Sequence, residues 1–185
     1  MVPENVANVK SQAADFKPLP QGVYEAQVLD ITFKPKEENT ASKYKPIDKF
    51  WILLGILNGE HRGETLMHFV STSFNAGYSG GQSSKLYDFS EAVMNQKVDD
   101  KEGIDVNTLV GGALQIVVKH TVTPDRTFAN ITEVMAVEKG KEVKDFTIEE
   151  MDAILKPRAE YADKEGKEGI DPDDLDIDKL KDLNK

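Results

Sequence analysis

Phe50 to Leu57 reads FWILLGIL, and this stretch decides the fold. Eight residues, apolar on both faces and β-branched or aromatic at several places, are too short for a buried helix and fit a strand buried on both sides. If Phe50, Ile52, Leu54 and Ile56 fill the core from one face, then Trp51, Leu53 and Leu57 point the other way, toward a groove or a covering element. Gly55 marks a bend or a close approach.

Working outward, Asn58-Gly59-Glu60-His61-Arg62-Gly63 is a hairpin connection, and Glu64 to Val70 is the next strand. Upstream, Val23 to Phe33 (VYEAQVLDITF) roughly alternates apolar and polar residues. It is a strand with an apolar doublet, Val28-Leu29, that predicts a bulge. Pro18 and Pro20 exclude a helix before it. Lys34 to Lys49, with Pro35 and Pro46, is a long polar loop. Downstream, Ser71 to Ser84 is rich in glycine and serine and predicts a flexible loop. Ser83 or Ser84 can cap a helix whose apolar stripe is Leu86, Phe89, Val93 and Met94. Leu109 to His120 forms a fourth strand, with Gly111-Gly112 near its start. Thr123-Pro124-Asp125 turns into a fifth, Thr127 to Val137.

Strand, strand, strand, helix, strand, strand is the order of an OB-type barrel. The sequence therefore predicts an all-β fold: a five-stranded barrel over residues 20–138 with one helix between strands three and four, with a five-stranded sandwich and a stray helix as the competing architecture. A polar lead-in covers residues 1–19. A linker, 139–158, carries a short helix, TIEEMDAILK, capped by Thr147 and stopped by Pro157. Residues 159–185 form an acidic tail. Its stretch 159–178 carries nine acids and two lysines and is expected to be disordered.

The chain has 185 residues, 39% hydrophobic and 30% charged, enough for one core with polar flanks. Cysteine is absent, which excludes disulfides and thiolate metal sites. There is no signal-peptide core and no apolar run near the roughly 20 residues of a membrane helix. These features predict a soluble, cytoplasmic protein without membrane contact. The net charge is −10, of which −6 falls in residues 140–185. Nucleic-acid binding then requires a local basic patch on the body.

Enzyme motifs are missing: no Walker lysine loop, GxGxxG, GxSxG or HExxH. His61, His68 and His120 lie on a turn and two strands, where surface or barrel-face roles are expected. Asp171 to Asp176 lacks the spacing of a calcium loop. No cofactor, metal or catalysis is expected.

Single-strand binding combines a basic track with aromatic faces that stack on bases. The loop after strand one supplies Lys34, Lys36, Lys43, Lys45 and Lys49, with Tyr44 between two lysines. Glu37, Glu38 and Asp48 leave a local excess of two positive charges. Trp51 is either a core residue or a groove residue. His68 and Phe69 are adjacent on strand three, so one of them faces outward. Phe74 and Tyr78, in the Gly/Ser loop, either stack on bases or tuck against the barrel mouth. Arg62, Lys119 and Arg126 extend the basic track or stand alone at the surface. The tethered acidic tail would compete with DNA for that track and recruit basic partners, unless it serves solubility alone.

The lead-in FKPLPQGVYEAQVLDI (Phe16–Ile31), KFWILLGIL (Lys49–Leu57), SSKLYDFSEAV (Ser83–Val93), LVGGALQIVVKH (Leu109–His120) and RTFANITEVMAV (Arg126–Val137) together resemble phage-encoded OB-fold single-stranded DNA-binding proteins. The resemblance spans about two thirds of the chain. It implies binding of single-stranded DNA with little sequence preference, in replication, recombination or repair, in a host cytoplasm. Replication or recombination proteins are expected to meet the acidic tail. The tail ends Asp182-Leu183-Asn184-Lys185 and so departs from tails of this kind that end in an aromatic tip. A monomer and a homodimer both stay open. The rival reading uses the same barrel as a protein-interaction module, a virion component or an inhibitor of a host enzyme.

Overall fold

The computed structural model describes residues 17–36, 47–77 and 81–165. Five strands, β1 (Gly22–Lys34), β2 (Lys49–Ile56), β3 (Thr65–Ser71), β4 (Ala113–Val122) and β5 (Thr127–Met135), form one antiparallel sheet in the order β3-β2-β1-β4-β5. Helix α1 (Lys85–Met94) follows β3 in the chain, and α2 (Ile148–Glu165) follows β5. The fold is mostly β. The chain divides into two compact units, residues 1–143 and 144–185. None of the described helices is long and apolar enough to cross a membrane.

Alternation along FWILLGIL builds the core of the first unit. Ile52, Leu54 and Ile56 are fully buried and share one cluster with Val28, Val70, Leu114, Ile116 and the α1 residues Leu86 and Phe89. The apolar doublet does mark a bulge: Val28 pairs with Leu54 and Asp30 with Leu53, leaving Leu29 as the extra residue of β1. Ser84 caps α1 by accepting the Tyr87 N–H at 3.3 Å, and Asn95 closes it in the left-handed region, φ 51°.

Four local expectations change. Met94, placed in the apolar stripe of α1, is 39% exposed, and Tyr87, Ser90 and Ala92 are buried instead. The buried Ser90 hydroxyl donates to the Leu86 carbonyl, which satisfies it within the helix. Val106–Leu109 is a 3-10 turn and β4 begins only at Ala113. Gly111 at φ +87° cannot continue an extended strand backward. The described part of the Ser71–Ser84 loop is tied down by the Ser84 N–H donating to the Asn75 carbonyl, the Asn75 N–H donating to the Ser84 hydroxyl oxygen and the Ala76 N–H donating to Asp100. In the second unit, Thr147 and Glu150 cap α2 reciprocally as expected, but the helix runs through Pro157 to Glu165. Ala159, Glu160, Ala162, Lys164 and Glu165 are strong helix formers, and their propensity outweighs one proline and the expectation of disorder there. Residues 166–185, the rest of the acidic tail, lie outside the described residues.

Candidate nucleic-acid interface

Residues directly opposite one another in a sheet share a face. Thr32, Trp51 and Phe69 form one cross-strand row over β1, β2 and β3, and Lys34, Lys49 and Ser71 form the next row on the same face. The core residues Ile52 and Val70 belong to the opposite face. Trp51 is therefore a face residue, 40% exposed, and Phe69 is 52% exposed. Their rings meet edge to face, centroids 5.5 Å apart at 83°. The Lys34 ammonium lies 4.9 Å from the Trp51 ring centroid. Lys36 is held near by its backbone N–H, which donates to Asp48 at 2.8 Å and ties the two ends of the long loop together. No ion pair among the described residues engages Lys34, Lys36 or Lys49.

Phe33, which sequence reasoning missed, is a further exposed aromatic at this end of the sheet, on the face opposite Trp51. It is 51% exposed and packs on Phe50, centroids 5.8 Å apart. Alternation places it on the core side, yet β1 outruns the core at this end. Its position next to the cationic loop was the available signal. Ile47, 50% exposed, lies in the chain just before β2.

The remaining candidates do not gather here. Lys43, Tyr44, Lys45 and Tyr78 lie outside the described residues. His68 is buried on the opposite face, its ring 5.9 Å from that of Phe89. It pairs with Ile52 and therefore points with Ile52 into the core side. Burial first, and then the Lys85 ammonium, push its imidazole pKa down to about 4, which keeps it neutral at pH 7. Phe74 tucks against α1, 5.4 Å from the Tyr87 ring, because its loop is anchored to the helix cap. Arg62 donates to the Leu57 carbonyl at 2.7 Å and braces the β2–β3 turn at the far end of β2 from Trp51. Lys119 pairs with Glu133 on β5 at 3.8 Å. Arg126 is exposed at the β4–β5 turn, where its backbone bonds with Thr123. The β4 register opposite Gly22 lies about 33 Å along β1 from the Thr32 row. Lys34, Lys36, Lys49, Trp51 and Phe69 are thus the predicted residues that one end of the sheet brings together.

No protein-family model matches the chain, and no curated protein matches it.

Proposed function

We propose that the chain is a single-stranded DNA-binding protein built on an OB-type barrel, with the outer face of β2 and β3 as its base-stacking platform. The strand order, read with α1 after β3, is that of such a barrel opened between β3 and β5. In these barrels the strand-two and strand-three face binds oligonucleotides. The observation that carries the reading is the exposed Trp51–Phe69 pair with the Lys34 cation over the indole. Stacking is indifferent to base identity, and Lys34, Lys36 and Lys49, without an ion pair among the described residues, serve the phosphates at the same edge, so binding with little sequence preference follows. The role is coating of single strands in phage replication, recombination or repair. The acidic tail limits weak binding and recruits replication proteins.

Fluorescence anisotropy with labelled oligo-dT and a duplex of equal length, at low and high salt, tests this. Salt-sensitive preference for oligo-dT is the expected result. Absence of salt-sensitive binding would transfer the same exposed aromatic face to a protein partner, as in a virion component or an enzyme inhibitor.

A further inference from the structure

β1 has two neighbours in the sheet, but β4 leaves it early. The β4 register ends at Gln27, and the last backbone bonds across that edge join Val28 to Gly111 and Gly112. Beyond them, among the described residues, the β1 backbone pairs with β2 alone. The Leu29 bulge bounds this open edge on one side, and Pro35, which has no N–H, bounds it on the other. Between them lie Asp30, Ile31, Thr32, Phe33 and Lys34, all exposed except Ile31, which is half-buried. Successive strand residues point to opposite faces, so exposure of Thr32, Phe33 and Lys34 in a row means that neither face of the strand is covered there.

We infer that this edge pairs with the same edge of a second copy of the chain, antiparallel about a two-fold axis through Thr32. Thr32 is the middle of the open window, and the window is self-complementary about it. Asp30 of each copy falls opposite Lys34 of the other, Ile31 opposite Phe33, and Thr32 opposite itself. The axis stands perpendicular to the sheet, so the two Asp–Lys pairs share the Trp51 face and the two Ile–Phe pairs share the other face. Opposite charges directly across an antiparallel pair stabilise it, and so do aromatic and β-branched residues set against each other. Moving the axis by one residue loses this match. About Ile31, Asp30 meets Thr32 and Lys34 meets the buried Val28. About Phe33, Asp30 still meets a lysine, Lys36, but Ile31 meets Pro35, which donates no backbone bond.

Among the described residues no ion pair engages Asp30 or Lys34. Asp30 accepts the Thr32 hydroxyl at 3.0 Å through one carboxylate oxygen, which leaves the other for an ammonium. Lysine and proline ordinarily guard a sheet edge against pairing. Here Lys34 meets its own counterion, and Pro35 only limits the length. Phe33, 51% exposed in one chain, gains a cover. The contact is short, so the dimer is weak and its population follows concentration. Lys34 leaves the Trp51 ring to reach Asp30, which bares the indole, and phosphates fall to Lys36 and Lys49. The inference goes beyond DNA binding. It sets two Trp51–Phe69 pairs in one row of a continuous face, with the Trp51 backbones about 14 Å apart.

Sedimentation velocity of the full chain over a concentration series tests this without DNA. The wild type should pass from monomer to dimer, and amide exchange within residues 30–34 should slow as concentration rises. Asp30→Lys sets lysine opposite lysine in the dimer, and Lys34→Asp sets aspartate opposite aspartate. Each variant alone, its fold checked by circular dichroism, should dimerise at least tenfold more weakly. An equimolar mixture of the two rebuilds both opposite-charge pairs and should recover the dimer. Phe33→Ala in both partners should weaken that mixed dimer again, which separates edge pairing from attraction between oppositely altered chains. The exchange measurement on the wild type reads the same edge with no substitution. A wild type that stays monomeric at millimolar concentration, exchange at residues 30–34 that ignores concentration, or a mixture no stronger than either variant would overturn the proposal.

Discussion

The Lys34 ammonium covers the Trp51 indole at 4.9 Å, while Phe69 meets the same indole edge to face. An exposed cation–π contact contributes about 0.5–1 kcal/mol, whereas a stacked base contributes about 1–3 kcal/mol. On the proposed binding mode a base would displace Lys34 from the ring and free its ammonium for a phosphate.

The first prediction follows from that exchange. Trp51 is the single tryptophan, so its fluorescence reports this position alone. Adding oligo-dT should quench it. Trp51→Ala should weaken binding by about 1–3 kcal/mol and shift the melting temperature little, because the ring is 40% exposed. Emission indifferent to oligo-dT would remove Trp51 from the site.

Charge gives the second prediction. Lys34→Ala with Lys49→Ala removes two cations of one cross-strand row. Each lost phosphate contact should reduce the slope of log affinity against log salt by roughly 0.7 for a single strand. An unchanged slope in a folded double variant would place the phosphates elsewhere.

Part of this site was legible in the chain and part was not, for physical reasons. Period-two alternation in FWILLGIL identifies the core side, since Ile52, Leu54 and Ile56 are all buried. It cannot say whether the other side is covered, and there Leu53 is buried while Trp51 is exposed. The Val28-Leu29 doublet disclosed its bulge because breaking alternation is what a bulge does. Adjacency told that one of His68 and Phe69 faces out, but choosing between them required the register with β2. The surroundings of Arg62 and Phe74 were left open by the sequence for a shared reason. Their partners, the Leu57 carbonyl and the Tyr87 ring, are set by the path of a turn and a loop, which leaves no periodic trace.

Packing gives the third prediction. A Cβ built on Gly112 would lie 2.3 Å from Cγ1 of Val93, a stiff β-branched side chain on α1. Gly112→Ala should destabilise the fold by about 1–3 kcal/mol through overpacking. Val93→Ala in the same chain should recover part of that loss, so the pair should be non-additive in chemical denaturation. Strictly additive losses would show that Gly112 is required for another reason.

The fourth prediction concerns pH. Burial, reinforced by Lys85, lowers the His68 pKa to about 4 in the folded state, against roughly 6.5 in the unfolded chain. Above pH 6.5 His68 is neutral in both states and the folded form has its full stability. As pH falls through 6.5, the unfolded chain binds a proton that the folded one refuses, so stability drops until the folded pKa is reached near 4. The full loss is about 3 kcal/mol, and most of it is present by pH 4.5. His68→Leu removes the group while keeping an apolar contact with Phe89. Carboxylates titrate alike in both proteins, so the difference between their denaturation curves isolates the imidazole. Between pH 7.5 and 4.5 the wild type should lose roughly 2–3 kcal/mol more than the variant. Parallel losses would mean that His68 takes up its proton in the folded state without this cost.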